Sequence, residues 1–321
     1  MRRPLGSTNL SLFPIAFGAG PIAGLMTAGD SESMFRRQLD VLARAIDGGI
    51  DWFDTAAGYG DGRSERALGR VLWELDARHR VRVATKVRLT ASDLEDIPAA
   101  VERSLRESLD RLRVPRVALL QLHNSITDRR GQLPTSLAVD DVLRPGGVLD
   151  GLERVRRLGL AERIGLTGLG ESRAVEQVVR TGRFHTLQLP FNALSLAFPQ
   201  ETDSPIGELP PVPIISLCAS LGMGVFAIRV FAGGALALAP PSDYTHVTKF
   251  FTLDVYQRDL ERAQSLVPQL PPGMSLPEFA VRKVLSYPGV SAAILGFGTP
   301  REIDVALRGI DCVDPDEKMS H

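Results

Sequence analysis

Four side chains in this chain have the types and placement to move a proton: Asp54, Tyr59, Lys86 and His123. Asp54 ends the short apolar run Ile50–Phe53, and Tyr59 follows in a turn that carries Gly58, Gly60 and Gly62. Lys86 closes the run Val81–Thr85, and His123 closes Val117–Leu122. A free phenol, with a pKa of about 10, exchanges protons poorly near neutrality. A neighbouring ammonium favours the phenolate and lowers that value, whereas burial raises it. Brought together, Asp54 would hold Lys86 charged and in place, Lys86 would tune Tyr59, and His123 would orient a substrate oxygen or relay a proton. Lysine is scarce here, with Lys86, Lys249, Lys283 and Lys318 the only four, so Lys86 at a strand end stands out. Each residue alone has an ordinary reading. Asp54 serves as a turn or cap carboxylate, Lys86 as a solvated charge, His123 as a backbone-satisfied histidine and Tyr59 as packing in a glycine-rich loop. It is their shared position at strand ends that singles them out.

The elements that must position them follow a regular alternation. Short, non-alternating apolar runs at Pro14–Phe17, Ile50–Asp54, Val81–Thr85, Val117–Leu122, Arg163–Leu166, Thr186–Leu189, Gly224–Ile228 and Ala292–Leu295 read as parallel strands covered on both faces. Helical periodicity fills the gaps, as in Ser33–Gly48, Arg63–Leu75 and Leu94–Leu112. Eight β/α units in about 300 residues predict an α/β fold, a closed (β/α)₈ TIM barrel, preceded by a β-hairpin within Pro4–Gly24. Three segments, Asn124–Pro145, Pro190–Pro213 and Phe231–Leu253, read as long loops over the C-terminal face, where such barrels carry their sites. Adjacent parallel strands lie about 4.8 Å apart, close enough for Asp54, Lys86 and His123 to converge. The reading is of one barrel domain over residues 1–321, with Asp311–His321 a flexible tail.

Composition narrows the partners. Basic and acidic residues number 37 and 38 with no basic stripe, which argues against nucleic acid. No apolar stretch is long enough to span a membrane, and the N-terminus lacks the apolar core of a signal peptide, so a cytoplasmic location is expected. Cys218 and Cys312 read as reduced, buried residues. The five histidines are scattered and suggest no metal site. A homo-oligomer and a monomer both remain open.

F-D-T-A-A-G-Y-G followed by S-E-R-A-L-G, then A-T-K and L-Q-L-H, resembles the aldo-keto reductase superfamily over nearly the whole chain. The resemblance implies a tetrad, with Tyr59 as proton donor or acceptor, Lys86 and Asp54 tuning it, and His123 orienting the carbonyl. It also implies hydride transfer between a nicotinamide cofactor and a carbonyl or alcohol carbon. L-H-N, L-R-P-G-G-V-L-D-G-L, I-G-L-T-G-L-G and F-A-I-R-V-F-A-G-G-A-L are similar to the D-threo-aldose 1-dehydrogenase branch, which includes L-fucose and L-galactose dehydrogenases. That branch implies oxidation of a sugar C1 hydroxyl to a lactone, with ionised Tyr59 taking the proton.

For the cofactor, the resemblance assigns Gln188 to the nicotinamide amide, beside Thr167-Gly168 where many members have Ser-Asn. Ile228 and Arg229 stand where many carry Tyr-Ser, so the usual aromatic stack is lost or replaced, and Arg229 is available to the pyrophosphate. Gly20, Gly296, Phe297, Gly298, Thr299 and Glu302 complete the expected cofactor set. Gly296 and Glu302 fall where NADP-using relatives place cations, and a carboxylate suits a free ribose 2′-hydroxyl, so NAD is favoured over NADP. The expected substrate is a small sugar or aldehyde. The alternatives are a reductase of small aldehydes or ketones, a pyridoxal dehydrogenase, and a non-catalytic nicotinamide-binding regulatory subunit.

Overall fold

The computed structural model describes residues 2–198, 211–248 and 251–311. Eight parallel strands close into a barrel: β1 (Ile15–Gly18), β2 (Trp52–Asp54), β3 (Arg82–Val87), β4 (Val117–Leu122), β5 (Ala161–Thr167), β6 (Thr186–Pro190), β7 (Gly224–Ile228) and β8 (Val290–Leu295). Their order around the barrel follows the chain, with β8 pairing β1 to close it. This is the (β/α)₈ barrel that the alternation predicts. An antiparallel hairpin, Arg3–Pro4 against Ser11–Leu12, precedes it.

Two apolar layers hold the barrel. The larger lies between strands and helices and explains why the strands read as continuous apolar runs. The smaller fills the inside, where Ala16, Trp52, Ala84, Leu119, Phe226, Ala292 and Ile294 pack together with Leu5 and Leu12 of the hairpin. Leu5 presses on Gly224 at the start of β7: a Cβ there would stand 2.4 Å from Leu5 Cδ1. The hairpin is also tied to the strand starts. Ser7 N–H donates to the Gly222 carbonyl (2.7 Å), and Arg163 Nη2 donates to the Thr8 carbonyl (2.8 Å). It therefore seals the N-terminal end of the barrel.

The helices nearest the tetrad have clear local causes. In α1 (Glu32–Asp47) the Ser31 hydroxyl accepts from Met34 N–H, and Gly48-Gly49 ends the helix before β2. In α3 (Ile97–Leu112) Asp96 caps Ala99 N–H. Between β2 and α2 (Arg63–Glu74) the turn passes through Gly60, Asp61 and Gly62, all with positive φ (60°, 54° and 74°). That left-handed run explains why the tyrosine turn is rich in glycine.

The three predicted loops need correction. The segment 124–145 holds two short strands, Ile126–Thr127 and Leu137–Ala138, and a helix, Val139–Leu143. Segment 190–213 holds the helix Ala193–Ala197, and the next helix begins at Pro211. Segment 231–253 holds a 3₁₀ stretch, Ala232–Ala237, and the helix Asp243–Val247. These pieces are too short to show a period, and their Pro and Gly content hid them. The last helix runs from Pro300 through Asp311, so a tail beginning at Asp311 starts too early, and 312–321, with Cys312, lie outside the described residues. Cys218 is buried and free. Among the described residues no helix is long and apolar enough to cross a membrane.

Candidate active site

The tetrad assembles at the C-terminal mouth of the barrel from three adjacent strands. Asp54 is the last residue of β2, Lys86 the penultimate residue of β3, and His123 follows β4 directly. Register explains the height of each group. Asp54 pairs with Ala84, so Lys86 stands one inward position higher, level with Gln121 of β4. The ladder continues past β4, where His123 N–H donates to the Val87 carbonyl (2.8 Å).

Lys86 Nζ lies at the centre. It donates to Asp54 Oδ2 at 2.5 Å and to the Thr55 carbonyl at 2.8 Å, and it stands 3.5 Å from Tyr59 Oη. Its side chain is wholly buried, as is nearly all of Asp54. Breaking such a pair strands a charge in a dry interior, at a cost of about 3–5 kcal/mol. His123 meets the Tyr59 ring edge-on, with centroids 5.5 Å apart and planes at 84°. Gln121 Nε2 donates to the other carboxylate oxygen, Asp54 Oδ1, at 3.4 Å. Behind the turn, Ser64 Oγ donates to the Ala19 carbonyl (2.8 Å) and bonds Thr55 Oγ1 (2.7 Å). Thr85 Oγ1 and Arg111 Nε both donate to the buried Glu65 carboxylate, at 2.5 and 2.6 Å. The S-E-R-A-L-G motif thus ties α2 to the strands that carry the tetrad.

Electrostatics revises one expectation. Burial raises the Asp54 pKa, and Lys86 only partly offsets it. Burial by itself would lower Lys86, but Asp54 and then Tyr59 outweigh it and hold the ammonium above its ordinary value. Tyr59 is raised, not lowered: burial exceeds the pull of Lys86, and Asp54 opposes that pull. The phenol is therefore protonated at neutral pH in the free protein. His123 is held well below its ordinary value by burial, then by Lys86 and Arg88, so it is a neutral imidazole. Its Nδ1 is buried without a hydrogen-bond partner.

The expected cofactor residues divide into two groups. Gln188 faces into the barrel from β6, and its Nε2 is buried with no partner, a donor available to an amide oxygen. Gly20 lies against the tyrosine, since a Cβ there would sit 3.6 Å from the Tyr59 ring. Ile228 is half-buried at the top of β7, and Arg229 follows with φ 53° and its guanidinium 5.3 Å from the Phe251 ring centre. Gly296 is exposed at the end of β8. Gly298 sits between two charges: its N–H donates to Glu302 Oε2 (2.7 Å), and its carbonyl accepts from Arg37 Nε and Nη2 (3.0 and 2.9 Å). Thr299 Oγ1 accepts from Glu302 N–H (3.4 Å). An open pocket of about 530 Å³ lies beside Gly298 and is lined by Arg36, Arg37 and Asp40 among others; none of the tetrad lines it.

Two residues of the expected set are otherwise engaged. Phe297 as a whole is 1% exposed, and its ring packs on Phe17 with centroids 5.7 Å apart, so it belongs to the core. The Thr167 hydroxyl donates to the Leu122 carbonyl (3.1 Å) and holds β5 to β4. Sequence reading missed three contributors. Gln121 carries the inward alternation signal two residues before His123. Asn124 accepts from Leu89 N–H and donates to the Leu89 carbonyl, both at 2.8 Å, extending the β3–β4 ladder with a side chain. Arg37 comes from α1, remote in sequence, and nothing local marks it.

Comparison with known proteins agrees with this geometry. The model of the aldo/keto reductase family matches residues 22–320. A D-threo-aldose 1-dehydrogenase from a Pseudomonas species is 27% identical over 73% of this chain and 70% of its own length. The holo form of an aldo-keto reductase from Bacillus halodurans superposes with a TM-score of 0.71 at 18% identity, covering 97% of this chain and 91% of that one. An aldo-keto reductase from Klebsiella pneumoniae in complex with NADPH superposes with a TM-score of 0.65, also at 18% identity, over 98% and 92% of the two chains.

Proposed function

The chain belongs to the aldo/keto reductase family, an oxidoreductase family, and from that premise we propose that it transfers hydride between a nicotinamide cofactor and C1 of a sugar, with Tyr59 exchanging the accompanying proton. The observation that carries the reading is the Asp54–Lys86–Tyr59 chain, with contacts of 2.5 and 3.5 Å, closed by His123 edge-on to the phenol. The bound cofactor would supply or accept the hydride. Gln188, with a buried unpartnered Nε2, fits its amide. Gly20, Ile228, Arg229, Gly296, Gly298, Thr299 and Glu302 are the residues we assign to the rest of it.

The side chains divide the remaining work. Lys86, fixed by Asp54, stabilises negative charge as it grows on Tyr59 Oη. Neutral His123 orients the substrate oxygen and competes for no proton. In the reducing direction the protonated Tyr59 donates to the carbonyl oxygen. In the oxidising direction it must first be ionised, so sugar oxidation is favoured by alkaline pH, the sign that follows from a raised phenol pKa. For the cofactor, Glu302 at the head of the last helix would repel a 2′-phosphate, which supports NAD. A protonated phenol equally suits a reductase of small aldehydes, ketones or pyridoxal.

A spectrophotometric screen of aldoses, small aldehydes and pyridoxal with NAD and NADP, run in both directions, separates these readings. Lactone formation from an aldose supports the proposal, and turnover of aldehydes alone selects the reductase. Tight cofactor binding without turnover of any substrate selects a regulatory subunit. Tyr59→Phe should lower kcat by about 10²–10⁴-fold while NAD binding is retained. Substantial residual turnover would remove Tyr59 from the role.

A further inference from the structure

Beside the tetrad, the barrel interior carries a polar side chain that the tetrad roles leave unexplained. Gln121 is fully buried, on an inward position of β4 level with Lys86. The remaining interior neighbours are largely apolar, so a primary amide there needs a partner. It has one. Its Nε2 donates to Asp54 Oδ1 at 3.4 Å, while Lys86 takes Oδ2 of the same carboxylate at 2.5 Å; the amide's own Oε1 is buried without a partner. Each carboxylate oxygen thus has its own donor, from two adjacent strands. The neighbouring strand makes room for this side chain. Gly165 of β5 pairs with Gln121 and Thr186, and a Cβ at 165 would stand 3.4 Å from Gln121 Cγ and 2.2 Å from Thr186 Oγ1.

We propose that Gln121 is a positioning residue of the proton-transfer unit: from the strand beside Lys86 it fixes the plane of the Asp54 carboxylate and keeps it ionised, so that Lys86 stays aimed at Tyr59. The proposal rests on the roles assigned above to Asp54, Lys86 and Tyr59. The titratable groups facing Asp54 are Lys86 from β3, Tyr59 from the turn after β2, and His123 beyond the Tyr59 ring from the end of β4. From β6 comes Gln188, uncharged, whose amide also lowers the Asp54 carboxyl although its Nε2 makes no hydrogen bond of normal geometry, and the residue of β1 in register with Asp54 is Gly18, without a side chain. Burial already pushes the Asp54 carboxyl up. An N–H donating to its charged form opposes that push, so losing the donor raises the carboxyl further. Once Asp54 is neutral, Lys86 has no counter-charge and no fixed direction. The effect must then appear on the acidic side of the activity profile.

The test compares Gln121→Met, near-isosteric and without the amide, and Gln121→Glu with the parent protein and Tyr59→Phe. The assay uses NAD and whichever substrate the screen identifies, from pH 5 to 10. Gln121→Met is expected to lower kcat several-fold, leave KM nearly unchanged, and move the acidic limb of kcat about half a unit to one unit toward higher pH. Gln121→Glu is expected to move it at least as far, because two adjacent carboxyls share a proton. A purely structural glutamine would lower the amount of folded enzyme without moving the limb. Acidic limbs that superpose on the parent's in a folded Gln121→Met, or in Gln121→Glu if Gln121→Met does not fold, overturn the proposal. If Tyr59→Phe remains active in the same assay, the proton-transfer reading falls instead, and the two failures are told apart.

Discussion

Glu302 shows how far a single side chain can be read and where reading stops. Under the cofactor reading proposed above, its carboxylate would oppose a 2′-phosphate; in the structure it accepts from the Gly298 N–H, while Arg37 grips the Gly298 carbonyl from the other side. Glu302→Arg should raise the ratio of NADP to NAD affinity roughly tenfold, the scale on which an attractive contact replaces a like-charge one. Titration of intrinsic tryptophan fluorescence with each dinucleotide measures it, and an unchanged ratio would take Glu302 out of cofactor choice. Asp54, Lys86 and His123 were legible because each sits at the end of an apolar run, where side-chain type and strand register coincide, and Tyr59 because a glycine-rich turn carries it directly after the first of them. The ionisation state of Tyr59 was not legible. It depends on how deeply the phenol is buried, and burial outweighs the ammonium 3.5 Å away. Phe297 escaped for a related reason: an aromatic in a glycine-rich turn carries no mark that its ring will turn inward onto Phe17.

Among the elements, the segment after β4 departs most from its expected loop. Asp141 organises it. One carboxylate oxygen accepts from Ala138 N–H (3.0 Å) and Arg130 Nε (2.9 Å), and the other pairs with the same guanidinium. Burial pushes this carboxyl up, but Arg130 and the backbone donor bring it below its ordinary value. A depressed folded-state pKa adds stability above the unfolded pKa and loses it as pH falls through the folded one. Asp141→Asn should therefore cost about 1–3 kcal/mol at pH 7 in urea unfolding. The difference should shrink as pH drops below the carboxylate range, and a pH-independent deficit would count against this account. Asn124 contributes from the same segment by extending the β3–β4 ladder with its side chain. Short ordered pieces held by single polar residues carry no periodicity, so composition alone marked the segment as a loop. The barrel strands and long helices, with their repeated apolar spacing, were readable to within a few residues.

At the scale of the whole molecule, the eight-strand count was legible because eight short apolar runs alternate with stretches of helical spacing. The inner packing was not. Gly165 looks like an ordinary strand glycine, but it lets Gln121 and Thr186 share the barrel axis. Gly165→Ala would place a methyl 2.2 Å from Thr186 Oγ1 and 2.9 Å from its carbonyl oxygen. It should destabilise the protein by about 1–3 kcal/mol through overpacking, read as a lower melting temperature, whereas an unchanged one would mean the floor has slack.

The hairpin gives the barrel a closed bottom. With Leu5 and Leu12 packed into that end and the backbone around Ser7 bonded to the strand starts, the N-terminal end of the barrel is plugged among the described residues. Under the proposed function, cofactor and substrate would both approach Lys86 from the opposite, C-terminal end. Two molecules meeting there cannot take separate routes, so the one seated deeper is first in and last out.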